Sequence, residues 1–343
     1  MNNLKVLSTI NFFGNLYKSK FITSKKLSHE FKIPFQVIRV AITLLFILAI
    51  AKGSWGQTNT WDGSSNANWN TGANWSLNHV PLVAEDVVIP NGITVTITIN
   101  TIAVCNSFTM NGGATANTVT ISAGNSLAVT NAITIGAGTG NGDNKILAVG
   151  SGTLSCSSIS ITATGNGNRN SSITLSTGTI TVTGNISFGD VNDLFTFTGA
   201  GILNIGGNLG TGGTFTCSTG TVNFNGSTAQ TTGGYTFYTL KSNNTAGVTL
   251  LAAATATILT VGDLTASSAF NDGGFQLTCT GTLNLTSGTF KLGSAGTATT
   301  WPAFTTRNIS SGTTVEYASG VAQTVSNAPT YENLTLSGAG AKT

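Results

Sequence analysis

Gly213-Thr-Phe-Thr-Cys-Ser-Thr-Gly-Thr-Val-Asn-Phe224 is answered later by Gly281-Thr-Leu-Asn-Leu-Thr-Ser-Gly-Thr-Phe-Lys-Leu292. Each copy reads Gly-Thr-apolar-polar-apolar, a Ser/Thr pair, then the same pattern again. Looser echoes stand at Gly152-Thr-Leu-Ser-Cys156 and Gly178-Thr-Ile-Thr-Val182. Repetition of this kind is the mark of an array, in which each unit buries its apolar face on its neighbours. Period-two alternation over so few residues predicts strands with one buried face. The seven-residue step between paired Gly-Thr units is too short for a hairpin and suits two faces of one coil meeting at a bend.

The same alternation recurs outward from this phrase. It is seen in Ile93-Thr-Val-Thr-Ile-Thr-Ile99, Val119-Thr-Ile121, Ile133-Thr-Ile135, Ile173-Thr-Leu175, Leu203-Asn-Ile205, Val248-Thr-Leu250 and Leu334-Thr-Leu336. Clusters of Gly, Asn and Ser separate these stretches. A wider echo pairs Gly220-Thr-Val-Asn-Phe-Asn-Gly-Ser227 and Ala229-Gln-Thr231 with Thr313-Thr-Val-Glu-Tyr-Ala-Ser319 and Ala322-Gln-Thr324. The first echo has an offset of 68 residues (Gly213 to Gly281) and the second 93 (Val222 to Val315), and the two share no strict period. The predicted fold is all-β: an irregular parallel β-solenoid, or β-helix, with loops of varying length.

Composition agrees. Residues 57–343 hold 56 Thr and 40 Gly, which supply water-tolerant strand positions and tight corners. Residues 1–56 hold eight basic residues and one acid, followed near their end by the apolar run Val40–Ala51. That run is shorter than the roughly 20 residues needed to span a bilayer. It reads as a secretory signal with a long basic leader, cleaved after Gly56, leaving no membrane span. The whole chain has 14 basic and 11 acidic residues, so residues 57–343 have 6 against 10, a net of −4. Without a basic face, nucleic-acid binding has no electrostatic footprint.

Three regions follow: the signal at 1–56, a Trp-rich capping segment at 57–92, and the solenoid at 93–343. The last stops within a repeat at Ser337-Gly-Ala-Gly-Ala-Lys-Thr343, which reads as a fragment of a longer gene product. Cys105, Cys156, Cys217 and Cys279 are expected as buried thiols rather than disulfides. The phrase alignment sets Cys217 opposite Leu285, an inward position, and Cys156 fits the same slot.

The opening Trp61-Asp-Gly, Asn74-Trp-Ser, Val80-Pro and Asp86-Val-Val-Ile-Pro90 resembles the start of large exported repeat proteins of Bacteroidetes-type bacteria. The Gly220–Ser227, Ala229–Thr231 and Phe237-Tyr-Thr-Leu240 segments resemble the same family. The resemblance implies an adhesin-like protein, surface-attached or secreted by the type IX route. The C-terminal sorting domain of that family is absent from this sequence.

Few residues suggest chemistry. His79 is the lone histidine after residue 57 and sits in a polar turn. Glu85 and Asp86 are adjacent and face opposite sides of a strand. Asp143, Asp190 and Asp193 lie in loops that could offer oxygens to calcium, but they lack the tandem Gly-Gly-x-Gly-x-Asp pattern and read as solvated turns. No metal or other cofactor is expected. Arg169 and Arg307 have no acid beside them, so a non-catalytic protein is the leading reading and a glycan-binding or glycan-cleaving β-helix the alternative. Trp61, Trp69, Trp75 and Trp301 are candidate glycan-stacking residues, as are Tyr235 and Tyr238, with core packing as the competing role. The expected partners are surface glycans or other cell-surface proteins, at the outer cell surface or outside the cell. Thr94-Val-Thr96 and Thr96-Ile-Thr98 begin a ladder of the kind an ice-binding plane needs, yet the irregular offsets argue against its continuing.

Overall fold

A computed structural model describes residues 56–162, 165, 167–263 and 267–343. The signal segment expected at 1–56 lies outside these residues except for Gly56. Among these residues, apart from one 3-10 turn at Gly72–Asn74, the regular elements are short strands, and every pair of strands is parallel. They wind into a β-solenoid of about 11 turns.

Each complete coil has three faces. The first face runs from Ile97–Ile99 through Asn117–Ile121, Lys145–Val149, Ser171–Leu175 and Asp193–Phe197 to Thr214–Thr216. The second runs from Ile102–Cys105 through Ser126–Val129, Thr153–Cys156, Thr179–Val182 and Ile202–Ile205 to Thr221–Phe224. These two faces merge at Thr236–Ser242, which pairs with the first face at Thr236 and with the second from Thr239 onward. The two longer strands that follow, Ala254–Val261 and Leu277–Leu285, also cross that corner. The third face begins at Thr58–Thr60 and Asp86–Ile89 and ends at Asn333–Leu336. Midway, single bridges from Ile186 to Leu209 and from Leu209 to Thr232 carry it across a gap between two strand sets.

Alternation does what the sequence implies. Strand after strand shows buried and solvent-facing residues in turn, as in Asn117–Ile121 and Lys145–Val149. Inward residues stack into rows, one of them Ala103, Leu127, Leu154, Ile180, Leu203, Val222, Leu240, Leu259 and Leu283. Nearly all are below a few per cent exposed. Burying a Leu, Ile or Val side chain stabilises by about 1.5–3 kcal/mol before chain entropy is charged.

The repeated phrase is real, but its copies do not share a face. Thr221–Phe224 lies on the second face, whereas its counterpart Gly288–Leu292 lies on the third. Val222 is in line with Leu283, three coils on, and Phe290 stands one face further along the chain. The second echo behaves alike: four coils carry Val222 to Arg307, and one more face reaches Val315. Both offsets are therefore whole coils plus one face. The length of one coil varies from 18 residues (Val222 to Leu240) to 28 (Val119 to Leu147).

The Gly of the phrase marks the bend. Gly288 has φ +104°, and a Cβ there would meet the carbonyl oxygen of Ser268 at 1.8 Å. Side chains other than Gly are excluded by both backbone angle and space.

Three expectations need correction. Cys217 does not occupy the Leu285 slot, because Leu285 is in register with Val261, Ser242 and Phe224. Cys217 follows the first-face strand and is half-buried. Cys156 does stand in that row, through Val182 and Ile205. In Ile93–Ile99 only Ile97–Ile99 is a strand, and Val95 faces solvent. Leu334 and Leu336 are exposed, because the third-face strand Asn333–Leu336 is covered by a neighbouring coil on one side only.

Candidate functional site

The segment 57–92 brings three indoles together. Trp75 packs edge-on against Trp61 (centroids 5.1 Å apart) and Trp69 (4.6 Å), and Trp69 reaches Phe108 at 6.2 Å. Trp75 Nε1 donates to the Trp69 carbonyl at 2.8 Å. All three rings are fully buried. This corrects their candidacy as glycan-stacking residues, since no ring face is open to a sugar. They belong to the same continuous core as the inward rows of the coils, which Trp69 meets at Phe108.

Trp301 is half-buried among Phe290, Phe304 and Tyr331, at 5.7, 5.4 and 6.3 Å. Tyr235 is half-buried as well; its hydroxyl donates to the Gly210 carbonyl, and burial pushes its pKa up to about 12. Tyr238 alone among these aromatics is exposed, so no row of open rings forms.

The acids are held singly. Glu85 is buried, takes hydrogen bonds from Asn59 Nδ2 (3.1 Å) and the Leu82 amide (3.0 Å), and lies 3.3 Å from His79 Nε2. His79 thus has a carboxylate partner that its sequence neighbours did not reveal. Asp86 turns the other way and accepts from Asn106 Nδ2 (2.8 Å) and Ser107 Oγ (2.5 Å). Asp193 is not a solvated turn residue: it is buried and staples its loop through the amides of Gly189 (2.6 Å) and Asp190 (3.0 Å). Asp272, also buried, accepts from the amides of Gly274 (2.9 Å) and Gly293 (2.8 Å) and from the Thr299 hydroxyl. Burial raises the pKa of both carboxyls.

The one buried lysine among the described residues is equally structural. Lys145 Nζ donates to Asn117 Oδ1 (3.1 Å), Asn91 Oδ1 (3.4 Å) and the Thr115 carbonyl, and burial lowers its pKa. Arg307 and Glu332 share a concavity of about 430 Å³ with Ile309, Ala328 and Thr330. A second concavity of about 570 Å³ is lined by Asn271, Lys291, Ser294 and Ser337. Lys291 there pairs with Glu316 at 3.4 Å. Neither concavity is lined by two carboxylates. Among the described residues, no group of three or more His, Cys, Asp or Glu side chains is placed to hold a metal ion.

All four cysteines are free thiols. Burial pushes Cys105 and Cys156 up to about 12 and also raises Cys217 and Cys279.

What the solenoid does assemble is a pair of polar outward rows. On the first face Thr98, Thr120, Ala148, Thr174, Thr196, Thr216, Thr236, Thr255 and Thr278 stand in unbroken register. Every one of these faces solvent at least in part. On the second face Ser155, Thr181, Asn204, Asn223, Lys241, Thr260, Asn284 and Asn308 form another row. Asn223 Nδ2 donates to Asn204 Oδ1 (2.9 Å), and Asn308 Nδ2 to Asn284 Oδ1 (2.8 Å). The threonine row overturns the expectation that irregular offsets break such a ladder. The extra residues of long coils lie in loops, and the strands stay in phase.

Comparison with known proteins gives one match, to a domain of unknown function (DUF8693) over residues 60–144. That stretch covers the indole cluster and the first two full coils. No curated protein and no solved structure matches the chain.

Proposed function

We propose that this chain is an exported, non-catalytic repeat protein that works through its surface, as an adhesin-like or structural element at or beyond the cell boundary. The observation that carries this reading is the contrast between rows and acids. Outward Thr and Asn run in register over many coils, whereas the buried Glu85, Asp193 and Asp272 are each engaged with local amide or hydroxyl donors. General acid–base chemistry needs groups that converge on one substrate position. A stacked array instead offers an extended surface whose many weak contacts add. The basic leader and short apolar run support export, and the −4 balance of residues 57–343 supports a partner other than nucleic acid.

The test is to incubate the purified chain with a panel of surface polysaccharides and with intact bacterial cells. Retention on cells or glycans without product formation is expected. Release of new reducing ends or unsaturated sugar ends would favour the glycan-cleaving alternative. The Arg307–Glu332 concavity would then be the first place to substitute.

A further inference from the structure

From the first face, we infer that this solenoid binds ordered water at the surface of ice. The threonine row spans nine consecutive coils, with Ala148 the single position lacking a hydroxyl. None of the eight threonine hydroxyls donates to or accepts from another protein group among the described residues. Thr98, Thr120, Thr174 and Thr196 are partly exposed and Thr216, Thr236, Thr255 and Thr278 exposed, so these hydroxyls are left to water.

The spacing selects the occupant. Adjacent parallel strands lie about 4.8 Å apart, so the hydroxyls repeat at about that distance. In a tetrahedral water network with O–H···O distances of about 2.75 Å, oxygens two hydrogen bonds apart are separated by about 4.5 Å. The row thus matches the second-neighbour spacing of lattice water to within a few tenths of an ångström. A second outward row lies two residues upstream, about 6.6 Å away along the strands. It comprises Thr118, Ile146, Leu194 and Thr214, interrupted by Ser172, which is in register but buried. No position in either row is charged.

Three physical points favour a water lattice over a soluble ligand. The face is an open sheet, and neither concavity described above is lined by a row threonine. A single Thr–water contact is weak, so useful affinity requires many contacts made together by a preorganised array. The hydrogen-bonded solenoid backbone fixes the array before binding, so little order has to be created on contact. A sugar polymer would look for ring faces to stack on, and among the described residues Tyr238 is the lone exposed tyrosine or tryptophan.

This inference rests on the reading of the chain as a contact surface, and its test is separate. The full chain is added to slowly growing ice, and the fraction captured is measured together with ice-crystal shaping and recrystallisation. Wild-type protein is expected to enter the ice and halt recrystallisation. Thr196→Tyr and Thr216→Lys, at the middle of the row, are each expected to lower capture at least tenfold while the circular dichroism is unchanged. Thr134→Lys, on the outward side of the third face, is expected to leave capture intact. Exclusion of wild-type protein from ice would overturn the inference, as would equal loss in the third-face control. Binding to insoluble cellulose or chitin without ice capture would also overturn it, while leaving the adhesin-like reading standing. Should one row variant fail to fold, the other decides.

Discussion

Gln230 and Gln323 make the same corner on different faces of the solenoid. Gln230 Oε1 accepts the Gly226 amide at 2.9 Å, and Gln323 Oε1 accepts the Ser319 amide at 3.1 Å. Gln230 Nε2 donates to the Ile205 carbonyl at 2.9 Å, and Gln323 Nε2 to the Leu292 carbonyl at 3.3 Å. Ile205 is the register partner of Phe224, and Leu292 that of Tyr317. The unit is therefore an aromatic strand end followed six residues later by a buried amide that ties the turn to the preceding coil. It works at the end of a second-face strand and equally at the end of a third-face strand.

Replacing either amide by an apolar side chain of similar size leaves backbone groups buried without partners. Each such group costs about 1–3 kcal/mol. Gln230→Leu has more to lose, since Oε1 also accepts from Asn244 Nδ2 at 2.7 Å. A loss of about 3 kcal/mol is expected for Gln230→Leu by urea unfolding, with a smaller loss for Gln323→Leu.

The indole cluster should behave as one unit. Trp75→Ala removes the ring that touches both others and the hydrogen bond to the Trp69 carbonyl. A cost of about 3–5 kcal/mol is expected. Hydrogen exchange should rise first in Thr58–Thr60 and Asp86–Ile89, before the central coils, because each coil contacts only its neighbours. Uniform loss of protection would contradict this.

Thiol chemistry should sort the cysteines by burial. Cys217 is the one half-buried thiol, and the other three are buried. Near pH 8 a thiol reagent is expected to modify Cys217 slowly in the native chain and the other three after unfolding. Prompt reaction at Cys105 or Cys156 would contradict their raised pKa values of about 12.

Asp272 sets a pH dependence of definite sign. Burial raises its folded pKa above the ordinary 3.8, so the folded state holds the proton more tightly than the unfolded chain. Its stabilising contribution is complete below the unfolded value and is lost as pH rises to the folded one. Asp272→Asn keeps an oxygen for the two amides and cannot ionise. The stability difference, variant minus wild type, should therefore grow as pH rises from 3.8 and then level off. A difference that is flat or falling over that window would contradict the burial of this carboxyl.

The sequence makes the strands legible because inward and outward residues alternate without exception in stretches such as Ile133-Thr-Ile135. It also places the bends, since the Gly-Thr step marks where one face gives way to the next. The period is hidden for a physical reason. Loops of varying length make one coil anywhere from 18 to 28 residues long, so no fixed period shows, and each echo falls on whole coils plus one face. Cys217 was set opposite Leu285 by that shift of one face. The threonine row was hidden by the same cause: Thr is so common that only strand pairing tells Thr174, Thr196 and Thr216 from the rest. Trp61, Trp69 and Trp75 were ambiguous because a ring suits a core as well as a sugar, and burial decides between them.

The continuity of that row is the central claim, and one distance tests it. Spin labels are placed at both ends through Thr98→Cys and Thr278→Cys, in a chain also carrying Cys217→Ser. Eight strand spacings separate the two positions. A narrow distribution centred at about 38 Å is expected from electron–electron dipolar measurement. A distribution centred below about 25 Å, or one broad enough to have no peak, would contradict a single in-register face.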